Sequence, residues 1–184
     1  MKTLPAIRTL IALAAMVCLF ACSQKTASEK AAAAELEEIY QCSADGNCSH
    51  DHGQSLAELQ SELAKRPDDL VVQTKVIHQA IQEKHPKLAA EQCLAILKKD
   101  PENEYAISHL ATALTEQGDL NKAMYYGAKN LAKHPTAFNH NLVGHIFYRQ
   151  GRVEQALNMF EKALALEPGN AEAAEGIRRC KGSS

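Results

Sequence analysis

Four prolines, Pro67, Pro101, Pro135 and Pro168, punctuate the chain at intervals of 34, 34 and 33 residues. A period near 34 is the length of one helix–turn–helix unit, and a unit that small cannot bury its own apolar face. It has to stack on copies of itself, so the period dictates an array of helix pairs. No alternating strand pattern competes with it. Three segments align on the prolines: 70–103, 104–136 and 137–170. Ala89, Ala123 and Ala156 recur where two helices of a pair approach closely and a small side chain is needed. Gly118 and Gly151 stand where a first helix would end in a left-handed turn, the backbone state that costs glycine least.

The local signals predict helix pairs at about 70–83 with 86–98, 104–117 with 120–133, and 137–150 with 153–166. Asp69, Asn103, Thr136 and Asn170 precede helices as N-caps. In the first copy Lys84 takes the turn glycine's place, and Pro86 punctuates instead, suited to a first helical turn. Residues 171–181 read as a polar capping helix. Upstream, Ser55–Lys65 matches the second helix of a pair, with Leu56, Leu59 and Leu63 on one face.

The last copy, AFNHNLVGHIFYRQGRVEQALNMFEKALALEPGN, resembles a tetratricopeptide repeat (TPR). It carries Gly144, Phe147, Gly151, Ala156, Phe160, Ala163 and Pro168 at that family's signature places. The middle copy keeps Ala111, Leu114, Gly118, Ala123 and Pro135, with Gly127 and Asn130 replacing a bulky residue and an alanine. The first keeps Ala80, Ala89 and Pro101, with Cys93 in the aromatic place. The resemblance implies an all-α, right-handed α-solenoid of about three TPR helix pairs, a preceding helix and a capping helix, spanning 55–184. It also implies a concave face, built by the first helix of each pair, that binds a protein or peptide partner. The helical period places Val71, Thr74, Lys75, His78 and Gln82 there from the first copy. The second supplies Tyr105, Ser108, His109, Thr112 and Glu116; the third supplies Phe138, Asn141, Leu142, His145, Tyr148 and Arg149. Lys75, His78, Tyr105, His109, Phe138, Asn141, His145, Tyr148 and Arg149 are the expected partner contacts. Aromatic and arginine side chains are the usual interface anchors, which favours Tyr105, Phe138, Tyr148 and Arg149. The carboxylate clamp of chaperone-binding TPR domains needs lysine and asparagine where this chain has Thr74, His78 and His109. It needs basic residues at Phe138 and Leu142, so an EEVD-type C-terminus is not the expected ligand.

The N-terminus, MKTLPAIRTLIALAAMVCLFAC, places Lys2 and Arg8 before an apolar run and a small residue before cysteine. This is the pattern of a secretory signal, and it is short for a membrane span. Leu19-Phe20-Ala21-Cys22 resembles the lipobox of bacterial lipoproteins, departing from it at Phe20. The resemblance implies a signal peptide over 1–21 and a mature N-terminal Cys22 carrying diacylglyceryl and acyl (palmitate) chains. Several chains anchor stably where one does not. Ser23 in place of aspartate implies the outer membrane, facing the periplasm. Removing residues 1–21 leaves 18 basic against 22 acidic residues, so nothing argues for a nucleic-acid partner.

Residues 22–54 read as a tether containing an aperiodic loop, CSADGNCSHDHG. Three readings of it stay open. Cys42 and Cys48 flank a turn-prone Asp45-Gly46-Asn47 and can pair as a disulfide in an oxidising compartment, worth about 2–3 kcal/mol. Alternatively Cys42, Cys48, His50 and His52 offer two thiolates and two imidazoles to a metal, although their spacing matches no standard zinc motif. The third reading is a polar loop with unpaired cysteines. Cys93 is expected on a packed helix face as an apolar filler, and a bridge from it to the distant Cys180 is not expected. No nucleophile–base pair, phosphate loop or paired acidic motif points to an enzyme, and no cofactor is expected. The composite expectation is a lipid-anchored TPR scaffold of the bacterial cell envelope. The alternative is a metal-handling or redox accessory using the Cys/His loop.

Overall fold

The computed structural model describes residues 54–182, and every regular element among them is an α-helix. The order is α1 (Leu56–Lys65), α2 (Leu70–Gln82), α3 (Pro86–Lys99), α4 (Glu104–Gln117), α5 (Leu120–Lys133), α6 (Ala137–Arg149), α7 (Val153–Leu166) and α8 (Ala171–Gly182). Successive helices pack on one another, and α6 also touches α4 and α8. This is the pattern of stacked helix pairs, with first helices meeting first helices along one side. Among the described residues no helix is long and apolar enough to cross a membrane.

Short polar residues start most of these helices by satisfying orphan backbone N–H groups. Asp69 accepts from Val71 and Val72, Asn103 from Ala106 at 3.0 Å, Thr136 from Asn139, and Asn170 from Ala173 at 2.9 Å. Ser55 and Glu58 form a reciprocal capping box on α1, and Asp119 caps α5. Gly118 and Gly151 adopt φ of +83° and +75°. Lys84 makes the equivalent turn after α2 with φ of +60°, so the left-handed turn persists where glycine is missing. Pro86 follows as the first residue of α3.

The largest apolar cluster joins α1 to α4, including Leu59, Val76, Ile77, Ala89, Cys93, Ile96, Tyr105 and Leu110. Cys93 is fully buried there, and burial pushes its thiol well above the usual range. At the other end Phe160 of α7 is buried between two glycines. A Cβ on Gly144 of α6 would lie 2.8 Å from the ring, and one on Gly176 of α8 would lie 2.7 Å from it. The capping helix thus takes the place that the first helix of a further repeat would fill. Cys180 is buried beside Phe160 and Ala156. Phe147, at one of the signature places, is only half-buried and carries the Arg152 guanidinium 4.4 Å above its ring centre.

Candidate functional site

Side chains from α4, α6 and α8 enclose a cleft of about 370 Å³. Thr112, Thr115 and Glu116 form the α4 wall; Phe138, Leu142, His145, Tyr148 and Arg149 come from α6; Glu172 and Arg179 come from α8. Helical spacing of three and four residues brings Phe138, Leu142, His145 and Arg149 onto one face. Apolar surface lies at the Phe138–Leu142 end, and charged pairs lie across the rest. Arg149 Nη1 is 3.6 Å from Glu116 Oε1, with both side chains about half exposed. His145 Nε2 lies 2.9 Å from Glu172 Oε1. The His145 ring also meets Phe160 edge-on, at 5.0 Å between centroids, which fixes its orientation.

Glu172 is held from two sides. Asn141 Nδ2 donates to Asn170 Oδ1 at 2.9 Å and to Glu172 Oε2 at 3.3 Å. Burial opposes ionisation of Glu172, but the hydrogen bonds and charge of His145, with Asn141, outweigh it and hold the carboxyl below its ordinary value. The Glu172 side chain remains 45% exposed, so this pairing is screened by solvent. Asn141 is only 1% exposed, and its Oδ1 has no hydrogen-bond partner.

Deeper in the array the first helices bury a polar band. The Tyr105 hydroxyl donates to the Thr74 carbonyl at 3.2 Å, and the Tyr105 ring stacks on His109 at 3.9 Å. His109 in turn stacks on Phe138 at 5.9 Å. Burial pushes the His109 pKa down to about 4, only partly offset by the Tyr105 carbonyl facing Nδ1, with nearby His78 adding to the downward push. His109 is therefore a neutral ring at ordinary pH, packed between aromatics.

The expected contact residues divide accordingly. His145, Tyr148, Arg149 and Phe138 meet in the cleft. Tyr105 is a correction: at 1% exposure it is a packing residue of the α2–α4 seam, not a surface anchor. His78, His109 and Asn141 are buried too, because the inner edge of each first helix packs against its neighbour. Lys75 and His78 lie on α2, outside the cleft. His78, His109 and His145 form no metal cluster; among the described residues no three His, Cys, Asp or Glu side chains converge for a metal. Cys22, Cys42, Cys48, His50 and His52 lie outside the described residues. Glu172 and Arg179 line the cleft without standing out in the sequence, and Asn170, expected only as a cap, supports it through Asn141. A polar stretch at 171–181 gives no sign that it packs as a further first helix.

A wider cleft of about 670 Å³ lies against α1 and the α2–α3 turn, lined by Leu56, Gln60, His85, Lys87, Leu88 and Gln117 among others. It contains none of the expected contacts. The α4–α6–α8 cleft is the better candidate despite its smaller size, because three helices hold its side chains in interhelix pairs.

Residues 137–170 match the tetratricopeptide repeat family model. RNA polymerase-associated protein CTR9 of Caenorhabditis elegans is similar over 93 residues at 29% identity, covering half of this chain and 8% of that protein. The chain thus spans a small part of the curated relative's length. A thermophilic TPR protein of Thermus thermophilus superposes with a TM-score of 0.61 at 18% identity, covering 70% of this chain and 72% of that one. The first TPR of Spaghetti (RPAP3), solved bound to the HSP90 peptide SRMEEVD, gives 0.55 at 18% identity, covering 61% and 90%. The fold is an all-α TPR-type solenoid, an architecture used by protein-interaction scaffolds, some of which bind peptides.

Proposed function

We propose that this chain is a membrane-anchored, non-catalytic TPR scaffold of the bacterial cell envelope that grips a partner protein segment in the α4–α6–α8 cleft. The observation that carries the reading is the cleft itself, with Tyr148 and Arg149 on one helix and Phe138 and Leu142 beside them. Aromatic and arginine side chains over an apolar floor are what a binding site needs in order to gain from desolvation. The Spaghetti complex shows a related fold holding a peptide. An EEVD carboxylate is not the expected ligand here, because Phe138 and Leu142 stand where the clamp would need basic residues.

Anchoring rests on the N-terminal sequence: an apolar run that ends in Leu19-Phe20-Ala21-Cys22. Mass spectrometry of the mature N-terminus should find a diacylglyceryl and acyl-modified Cys22, on the periplasmic side of the outer membrane. An unmodified terminus beyond Cys22 rejects the anchor and leaves the groove reading intact. For the groove, Tyr148→Ala with Arg149→Ala should abolish recovery of the partner from membranes. Recovery that survives this pair, yet is lost on changing exposed Tyr125 of α5, would place the interface elsewhere. The alternative role, metal handling by Cys42, Cys48, His50 and His52, predicts about one metal per chain, lost when His50 or His52 is changed.

A further inference from the structure

The apolar core is not evenly distributed along the array. Fourteen buried residues join α1 to α4 in one cluster. On the C-terminal side, Phe160 locks α7 between Gly144 of α6 and Gly176 of α8. Between these blocks, the cluster that meets α6 has four buried members, Ala111, Ala123, Leu142 and Ile146. Two of the four are alanines with little surface to bury. The facing position on α5 is Gly127, which meets Ile146 and Val143 with no side chain of its own.

Half-buried Leu114, Met124 and Tyr126 and the His109–Phe138 stack add to this seam, but its centre is polar. Asn130 of α5 donates to Ser108 Oγ at 2.8 Å and to Asn139 Oδ1 of α6 at 3.1 Å. Ser108 Oγ already donates to the Glu104 carbonyl, and Asn139 Nδ2 to the His134 carbonyl. These bonds fix the Ser108 hydroxyl and the Asn139 amide as acceptors, so Asn130 must present Nδ2 to both partners. Its Oδ1 is then left buried with no partner. Two further links across the seam are weak. Glu116–Arg149 spans 3.6 Å at half exposure, and Gln150 Nε2 reaches the Leu120 carbonyl at 3.5 Å.

We infer that α6, α7 and α8 open from the rest of the array as one unit, pivoting at the His134–Pro135–Thr136 connection. The cleft has one wall on α4 and the others on α6 and α8, so it widens and narrows with this motion. A segment that touches both sides would hold the seam shut. The inference concerns the array itself and stands whether or not a peptide is the natural ligand. Proteins do open in contiguous cooperative blocks, with boundaries where buried contacts are few.

Amide hydrogen exchange on the unmutated full chain, read by mass spectrometry at low urea concentrations, tests it. The expected result is a step between α5 and α6. Amides of α6, α7 and α8 should share one opening and exchange roughly tenfold or more faster than those of α2 to α4. One common opening for all helices would overturn the inference. A smooth rise toward the C-terminus, with α6 behaving like α5, would also overturn it, because that is end fraying. A step at any other junction does the same.

Discussion

Phe160 between Gly144 and Gly176 shows how little slack a helix crossing leaves. A Cβ on Gly176 would lie 2.7 Å from three ring carbons, and the ring cannot yield as a flexible chain end would. Gly176→Ala should therefore cost about 1–3 kcal/mol in urea unfolding. An unchanged midpoint would contradict the packing described. Lys84 poses the opposite case. Its φ of +60° is one that a side chain disfavours, and the other two copies place glycine at that turn. Lys84→Gly should raise stability by about 0.5–1 kcal/mol, the relief of strain exceeding the added chain entropy. Lys84→Ala, which keeps the Cβ, should not reproduce the gain. A thermal melt in which both variants behave alike would show that no strain resides there.

At the scale of the helix, termini matter more than interiors. Asn170 caps α8 through the Ala173 N–H and also accepts the Asn141 amide, so one side chain both starts the last helix and ties it to α6. Asn170→Ala should cost about 1–2 kcal/mol, with loss of helical circular dichroism from a loosened α8. Asn170→Ser keeps a side-chain acceptor for the Ala173 N–H without setting a carboxylate beside Glu167, whose Oε2 accepts from Asn170 Nδ2 at 2.9 Å, and should lose less. Equal losses from the two changes would mean that the cap does not hold α8. The expected starts at Asp69, Asn103, Thr136 and Asn170 match observed side-chain caps because capping is local chemistry, set within three residues. The Asp119 cap obeys the same rule, although the adjacent Gly118 is the stronger punctuation in the sequence.

Across the whole molecule, the buried polar band makes folding depend on pH. His109 has a folded pKa of about 4 against an ordinary 6.5. Between those values the unfolded chain takes up a proton that the folded chain refuses. Stability should then be level above about pH 7 and fall as pH drops from 6.5 to 4. The total loss is on the order of 3 kcal/mol. Glu172, held below its ordinary value in the fold, loses its stabilising contribution at still lower pH, in the same direction. His109→Gln should flatten the slope between pH 7 and pH 4 in urea titrations, whatever its effect on absolute stability. A slope that persists unchanged would assign the dependence to another group.

The helix pairs and their stacking are legible from the residues alone. A 34-residue period, small residues at crossings and caps at fixed offsets act within a few residues of chain, and all are visible one letter at a time. Helical spacing alone also brings Phe138, Leu142, His145, Tyr148 and Arg149 to one face. Which polar residues stay outside is settled by packing between helices. Helical phase points Tyr105, His109 and Asn141 toward the same side as Tyr148. Yet the neighbouring first helix covers them, and packing between helices is not written in one helix's period. The same holds for Glu172, whose pairing with His145 spans 27 residues of sequence. It holds for the α5–α6 seam too, where Gly127 and Asn130 read as departures from a repeat until their neighbours are in place. Contacts between helices depend on how rigid elements fit together, and that fit is settled only when the whole array is packed.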